Sequence, residues 1–547
     1  GGAEAPDLER TGSRSFLPLP ETVAHGCRIG VSSHQGRGVP VSLADDLLGR
    51  HILLCAKTRR GKSSLLLRLA RYLMEQEPRQ TVLIVDPHRD LAEAALGLVP
   101  AHRRDDVVYL DAGDRRRPFG LNLIDTTLGW DGHQAVESTL TIFKQLFPTT
   151  WGTRMENSFR WALKALYDDN RRLCRLPPDK KGGPHRQHTV LEVPHLLSLA
   201  PYRHALSQTS TDPFARDWWS LYDTLPRQLQ IESAHPVVTK IFRFAASAAT
   251  RDVIGQPRST VDPAEWLRDG KIVIVNTAKG TIGEDTSALI GSTLINLVGL
   301  RAAAQAALPE GERRRVTVLV DEFHALPGAN YELLLSELAK YGLNLVLATQ
   351  SLARLEQLDR RLERALRPLV FSNVDGLFAF NVSAEDARYL VRELSGDDRR
   401  DGRRVDEADL VGLPDHACYA RITVGGKRLP VFSVGLDRPP TPDAALREEL
   451  AAESADKYGR DWRAVEKSIK AALDEIGKVR QQAIKAATQA GKPGAGVARD
   501  ASAGKQGRSE HRDQDGKKGG QQSRSGESQD GRAQDTPPRS VTEESAL

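Results

Sequence analysis

Cysteine is scarce and unpaired in this 547-residue chain: Cys27, Cys55, Cys174 and Cys418 lie far apart, with no C-x-x-C pair. That spacing argues against a zinc ribbon, an iron–sulfur site or a secreted disulfide framework, and it fits a reducing cytoplasm. Long apolar runs are lacking too. The stretches Val82 to Val85 and Lys271 to Val275 meet charge within a few residues, far short of the roughly 20 apolar residues that a bilayer span needs. Excess charge of one sign is small, a formal +5, which permits nucleic-acid binding without demanding it. The sequence begins at Gly1 rather than at methionine, which leaves room for an upstream segment carrying a membrane anchor. The expected location is the cytoplasm, at the inner face of the cell membrane if such an anchor precedes the chain.

What is present is ordinary for a globular protein: 39% apolar and 27% charged residues, in a chain too long for a single core. Short β-branched runs recur at 51–56, 81–86, 106–111, 271–276, 316–321, 343–349 and 376–381, and they read as buried parallel strands. Helical stretches such as Lys62 to Gln76 and Tyr331 to Tyr341 alternate with them, which predicts a doubly wound α/β sheet over about 45–435. Between about 130 and 250 the spacing of Ile142, Phe143, Leu146, Phe159 and Leu163 is helical throughout, so an all-α domain is expected as an insertion. The sheet domain then divides into 45–129 and 251–438, preceded by a partly disordered segment 1–44. After Pro439-Pro440 one more helix is expected over 439–488, because Trp462, Val465, Ile469, Leu473 and Ile476 share a face. From 489 to 547 large apolar residues almost vanish, and a disordered tail is expected.

The chemistry gathers at strand ends. The segment Ala56-Lys57-Thr58-Arg59-Arg60-Gly61-Lys62-Ser63-Ser64 follows a strand and opens a helix. It fits a phosphate-binding loop in which backbone N–H groups face the phosphates, Lys62 reaches the β and γ oxygens and Ser63 reaches Mg²⁺. Alanine stands where the first glycine of that pattern usually does. The run VLVDEFH ends in Asp321 and Glu322, which suit a magnesium-shell carboxylate and a general base for an attacking water. Gln350, in ATQS at the next strand end, is placed to contact the γ-phosphate or that water. Three such elements, each at the ligand-binding side of a parallel sheet, point to an ATPase using ATP and Mg²⁺.

These residues resemble the HerA/FtsK superfamily of hexameric P-loop motors, and within it the TraG/TraD-type coupling ATPases of conjugation and type IV secretion. The resemblance runs in order through RHILLCAKTRRGKSS, VLIVDPHRDL, RPFGLNLID, WGTRMENSFRWALKALYD, TRDVIGQPRS, KIVIVNTAKGTIGED, VDEFHAL, KYGLNLVLATQSL and NVSAEDARYL, covering about 30–440. It implies a RecA-like fold capped by the all-α insertion, and a ring, expected to be a homo-hexamer, that drives single- or double-stranded DNA or nucleoprotein through a pore. It also implies a relaxase or secretion-channel proteins as partners, and Asp86 near the nucleotide. A soluble HerA-like motor for repair or defence, and a receptor for protein substrates, are the competing readings. Two features depart from the family. Arg59 and Arg60 replace small loop residues, and Ala339 stands where an arginine finger often precedes Lys-Tyr-Gly. Lys340, Arg251 and Arg258 are the candidate trans-acting cations. Arg103-Arg104 and Arg115 to Arg117 are further phosphate-contact candidates, although a solvated face is the ordinary reading of such runs.

Overall fold

The computed structural model describes residues 13–356, 366–395 and 404–490. Beyond Ala490 the expected tail lies outside them, as does 1–12 of the expected N-terminal disorder. The described strands are β1 Cys27–His34, β2 Arg37–Leu43, β3 Ile52–Cys55, β4 Thr81–Asp86, β5 Val107–Asp111, β6 Ile272–Asn276, β7 Val316–Val320, β8 Leu343–Thr349, β9 Gly376–Ala379, β10 Ala417–Val424, β11 Lys427–Arg428 and β12 Phe432–Leu436.

They form one sheet in the order β2-β1-β12-β10-β9-β3-β8-β7-β4-β6-β5, with β11 paired to β10. The seven runs read as parallel strands are β3 to β9, and their pairings with one another are all parallel. Every residue of β3, β4, β6, β7 and β8 is buried, as strands covered on both faces must be. The result is the expected RecA-like α/β fold with an all-α insertion.

The sheet begins earlier than residue 45. β1 and β2 form an antiparallel hairpin that joins the sheet through β12. Its two-residue turn, Gln35 and Gly36, has positive φ at both positions (49° and 77°), which matches the twist of flanking strands. Gly425 and Gly426 (57° and 74°) make the same kind of turn between β10 and β11. Both hairpins extend the parallel sheet antiparallel beyond β9.

Each face has its own core. On one side the helix Lys62–Met74 buries Leu65, Leu66, Leu69 and Leu73 against the sheet. On the other, the apolar side chains of the inserted helices run continuously into the sheet core. There Phe143 meets Phe159 and Phe244 edge-on, with centroids 5.1 and 5.5 Å apart, a favoured aromatic geometry. The helix Glu284–Ala304 is buried along nearly its whole length. With the turn that follows it to Ala307, it is also long and apolar enough to cross a membrane by length and composition alone, yet most of it is buried inside the protein.

Three other expectations need correction. The stretch Tyr331 to Tyr341 is a short α-helix, Tyr331–Ser336, followed by a 3₁₀ turn, Leu338–Tyr341. Two helices rather than one follow Pro440, Ala444–Tyr458 and Trp462–Ala490, separated at Gly459. The expected apolar stripe on the second is only partly used, since Val465 and Ile476 are buried while Leu473 is exposed.

Candidate functional site

The loop after β3 folds by tying its start to neighbouring strand ends. Ala56 N–H donates to Thr349 O (3.2 Å) and Lys57 N–H to Asn381 O (2.9 Å). Ala56 is fully buried, so its methyl packs into the core where a glycine would leave space. The loop then turns through two left-handed residues, Arg59 (φ 62°) and Gly61 (φ 109°). At Gly61 a side chain is doubly excluded, because a Cβ would meet His416 Cα and Phe380 Cε1 at 3.0 Å each. The helix starts at Lys62.

This loop lines a cavity of about 750 Å³, together with Leu67, Asp86, His88, Asp321, Gln350 and His416. The volume lies within the range of small-molecule sites, roughly 300–1,000 Å³, and suits a nucleoside triphosphate. Of residues 56–64, only Ala56 and Arg60 stay out of the lining. Arg60 turns outward to pair with Asp415.

Lys62 is buried, and its Nζ donates to Asp321 Oδ1 at 2.6 Å and also to Glu322 Oε1. Burial alone pushes its pKa down, but the two carboxylates outweigh burial and hold it above the ordinary lysine range. Glu322 sits in a left-handed conformation (φ 47°) just after β7, a strained placement for a non-glycine residue, and its N–H donates to Asp321 Oδ1 (3.0 Å). Gln350 joins the parts: its backbone N–H donates to Glu322 Oε2 (3.2 Å), and its Oε1 accepts from Thr58 Oγ1 (3.0 Å). Ser63 is exposed within the cavity at the first turn of the helix. These donors fit a Mg²⁺–triphosphate. Two acidic groups already share a cation, and a hydroxyl, an ammonium and a helix N-terminus face the same space.

Asp86 lines the cavity, but its own oxygens hold the loop, accepting from His88 N–H (2.7 Å) and Ala92 N–H (2.9 Å). Its pKa is raised by burial, against the pull of those two bonds. Among the described residues, Lys340, Arg251 and Arg258 are absent from the lining. Arg251 Nη1 donates to Ala245 O (2.6 Å), and Lys340 Nζ lies over the Tyr341 ring at 5.0 Å. Arg103 is a structural residue, fully buried between Asp106, Met74 O and Gly270 O. Arg115 to Arg117 border a separate cavity of about 400 Å³ beside the end of β5, where Arg117 pairs with Asp456 at 2.7 Å.

Sequence reasoning missed His416 and Phe380, which close over Gly61, because no motif links residues so far apart in the chain. It also missed His324, although that residue follows Asp321-Glu322 directly in the VDEFH run.

The family model for the central domain of helicase HerA matches residues 27–142. A comparison with curated protein sequences finds no match. Among solved structures, the plasmid coupling protein TrwB in complex with the non-hydrolysable GTP analogue GDPNP superimposes at a TM-score of 0.55 with 17% identity, covering 80% of this chain and 98% of that one. TrwB in complex with ADP and Mg²⁺ gives the same score and identity over 82% and 98%. VirB4 of Thermoanaerobacter pseudethanolicus aligns at 0.46 with 13% identity over 76% and 97%, too loosely for anything further to rest on it. The family model and the shared fold thus support the resemblance to HerA/FtsK-type motors read from the sequence.

Proposed function

We propose that this chain is an ATP-driven motor of the conjugative or type IV secretion coupling type, which hydrolyses ATP at the subunit boundaries of a ring to move DNA or nucleoprotein. The observation that carries the reading is the single buried ammonium of Lys62, which lines the cavity together with Asp321 and is shared between Asp321 and the buried Glu322, itself outside the lining. A lysine so placed has only to turn toward the cavity to meet phosphate oxygens, and in doing so it frees both carboxylates.

In that reaction Lys62 and the loop N–H groups bind the β- and γ-phosphates. Ser63 and Asp321 hold Mg²⁺, which supplies charge neutralisation on the phosphate oxygens when bound. Glu322 accepts the proton of the attacking water, and Gln350 reports the γ-phosphate to both Thr58 and Glu322. Because Lys340, Arg251 and Arg258 lie outside this chain's own cavity lining, any of them that serves as a finger acts on a neighbouring copy. The fold shared with TrwB supports the coupling assignment, and TrwB's complexes with nucleotides support a nucleotide site in this fold.

The test is steady-state hydrolysis of ATP and GTP by the purified chain, with and without DNA, over a salt series. Magnesium-dependent ATP turnover that DNA stimulates at low salt, and less so as salt rises, is expected. Turnover indifferent to DNA at low salt removes the DNA-motor reading, and absence of turnover removes the ATPase.

A further inference from the structure

The cavity at the phosphate loop has two flanks. β3, which carries the loop, lies between β8 and β9 in the sheet. On one flank Gln350 and Asp321 directly follow β8 and β7, and Lys62 turns toward Asp321. The other flank ends in β10, which runs antiparallel to β9 with Tyr419 opposite Ala379. The start of β10 therefore stands at the same end of the sheet as the ends of β3 and β9. There His416, one residue ahead of Ala417, enters the cavity lining. Three strand positions separate β10 from β8, roughly 14 Å at the usual spacing of neighbouring strands.

His416 is held in place through its backbone. Its N–H donates to Arg60 O (3.2 Å), and its own carbonyl accepts from Leu436 N–H (2.8 Å). The residue is left-handed (φ 60°), a conformation that costs a non-glycine residue energy and persists only where the surroundings impose it. Its ring lies against the loop: Nδ1 is 3.4 Å from Ser64 Oγ, and a Cβ on Gly61 would stand 3.3 Å from the same atom. His416 is nevertheless exposed, on the cavity side. Leu67 lies three residues beyond Ser64 on the same face of the helix and also lines the cavity. One flank thus offers an aromatic ring beside an aliphatic side chain, and the other a lysine, a carboxylate and an amide.

A nucleoside triphosphate has the same polarity. Lys62, Asp321 and Gln350 fix the γ-phosphate end, and the first helical turn, Lys62 to Ser64, faces the remaining phosphates. The ligand then leaves the loop past Ser64, where His416 stands. We infer that His416 is the nucleoside contact of this site: the base of the bound triphosphate stacks on its imidazole ring, with Leu67 alongside, while its backbone braces the loop at Arg60. The inference rests on the nucleotide-site reading above and deepens it.

The test is calorimetric titration of the full chain and of His416→Asn with two ligands, MgATP and magnesium-bound inorganic triphosphate, which has no nucleoside. Asparagine accepts the left-handed backbone and lacks the ring. Loss of a base-stacking ring should weaken MgATP binding about fivefold to a hundredfold, with triphosphate binding within about twofold of wild type. Unchanged MgATP affinity in the variant overturns the inference. So does an equal loss for both ligands, which would make His416 a loop brace only. Should the variant not fold, the wild-type chain decides: MgATP should move the His416 Cε1–H proton resonance upfield by the ring current of the stacked base, and magnesium triphosphate should not. Equal shifts with the two ligands overturn the inference. If the wild-type chain binds neither ligand, the nucleotide-site reading fails and takes this inference with it; if it binds both and His416→Asn does not separate them, only this inference fails.

Discussion

Lys62 Nζ lies 2.6 Å from Asp321 Oδ1 and donates as well to Glu322 Oε1, so one buried ammonium is shared by two carboxylates that a single strand end holds side by side. Adjacent buried carboxylates repel and lose hydration, costs that a shared cation offsets. In the proposed reaction Mg²⁺ would take over part of this role, so that nucleotide binding would be an exchange of cations around Asp321 and Glu322.

Lys62→Ala should accordingly have two effects. Nucleotide binding should vanish, and the nucleotide-free chain should lose about 3 kcal/mol of stability, because a buried partner has been removed from a charge cluster. Denaturant titration of both proteins measures the second effect, and an unchanged midpoint would show that Asp321 and Glu322 do not depend on the lysine.

Gly61→Ala tests the loop backbone. At φ 109°, with a Cβ only 3.0 Å from His416 Cα and Phe380 Cε1, the variant must distort the loop at a cost of about 1–3 kcal/mol. MgATP affinity should fall at least about tenfold in equilibrium titration. Affinity equal to wild type would mean that the loop tolerates a different path.

Much of this was legible in the sequence, for identifiable reasons. The seven parallel strands are buried on both faces and so appear as unbroken β-branched runs, and each functional strand end carries its residues in one short word: GKSS, VDE, ATQ. The antiparallel extension was less visible because β1 and β12 alternate buried and exposed positions and carry small residues. The Gly425-Gly426 pair was nevertheless a readable turn signal between flanking strand residues. Arg103 shows the limit of reading charge locally. Its run of arginines looks solvated, yet the side chain is enclosed by Met74 O and Gly270 O from elements far away in the chain. His416 and Phe380 likewise reach the site only through tertiary packing.

Arg103→Ala and Arg104→Ala should therefore differ sharply. The first leaves Asp106 and two carbonyl oxygens short of a donor in a buried position and should cost about 3–5 kcal/mol. The second removes an exposed pair with Glu449 and should melt like wild type. Comparable melting temperatures for the two variants would contradict the assignment of Arg103 as a structural residue.

In the inserted helices His188 lies between Asp169 Oδ2 (2.9 Å) and Glu192. Burial disfavours its charge, but the two carboxylates outweigh burial and raise its pKa from 6.5 to about 10. A raised cationic pKa stabilises fully below the unfolded value and loses its contribution as pH climbs through the folded one. Wild-type stability should thus decline between about pH 6.5 and 10. His188→Gln should start lower by on the order of 3 kcal/mol and vary less over that window. Denaturation at three pH values within it checks this, and parallel curves for the two proteins would refute it.

The most direct measurement of the central claim is ATP binding and turnover by Glu322→Gln, which keeps the shape of the side chain and removes its basicity. The variant should bind MgATP at least as tightly as wild type while hydrolysing it about a hundredfold more slowly or worse, and ATP should remain on the protein unhydrolysed. Turnover within a few-fold of wild type would contradict the assignment of Glu322 as the base and, with it, the site built around Lys62.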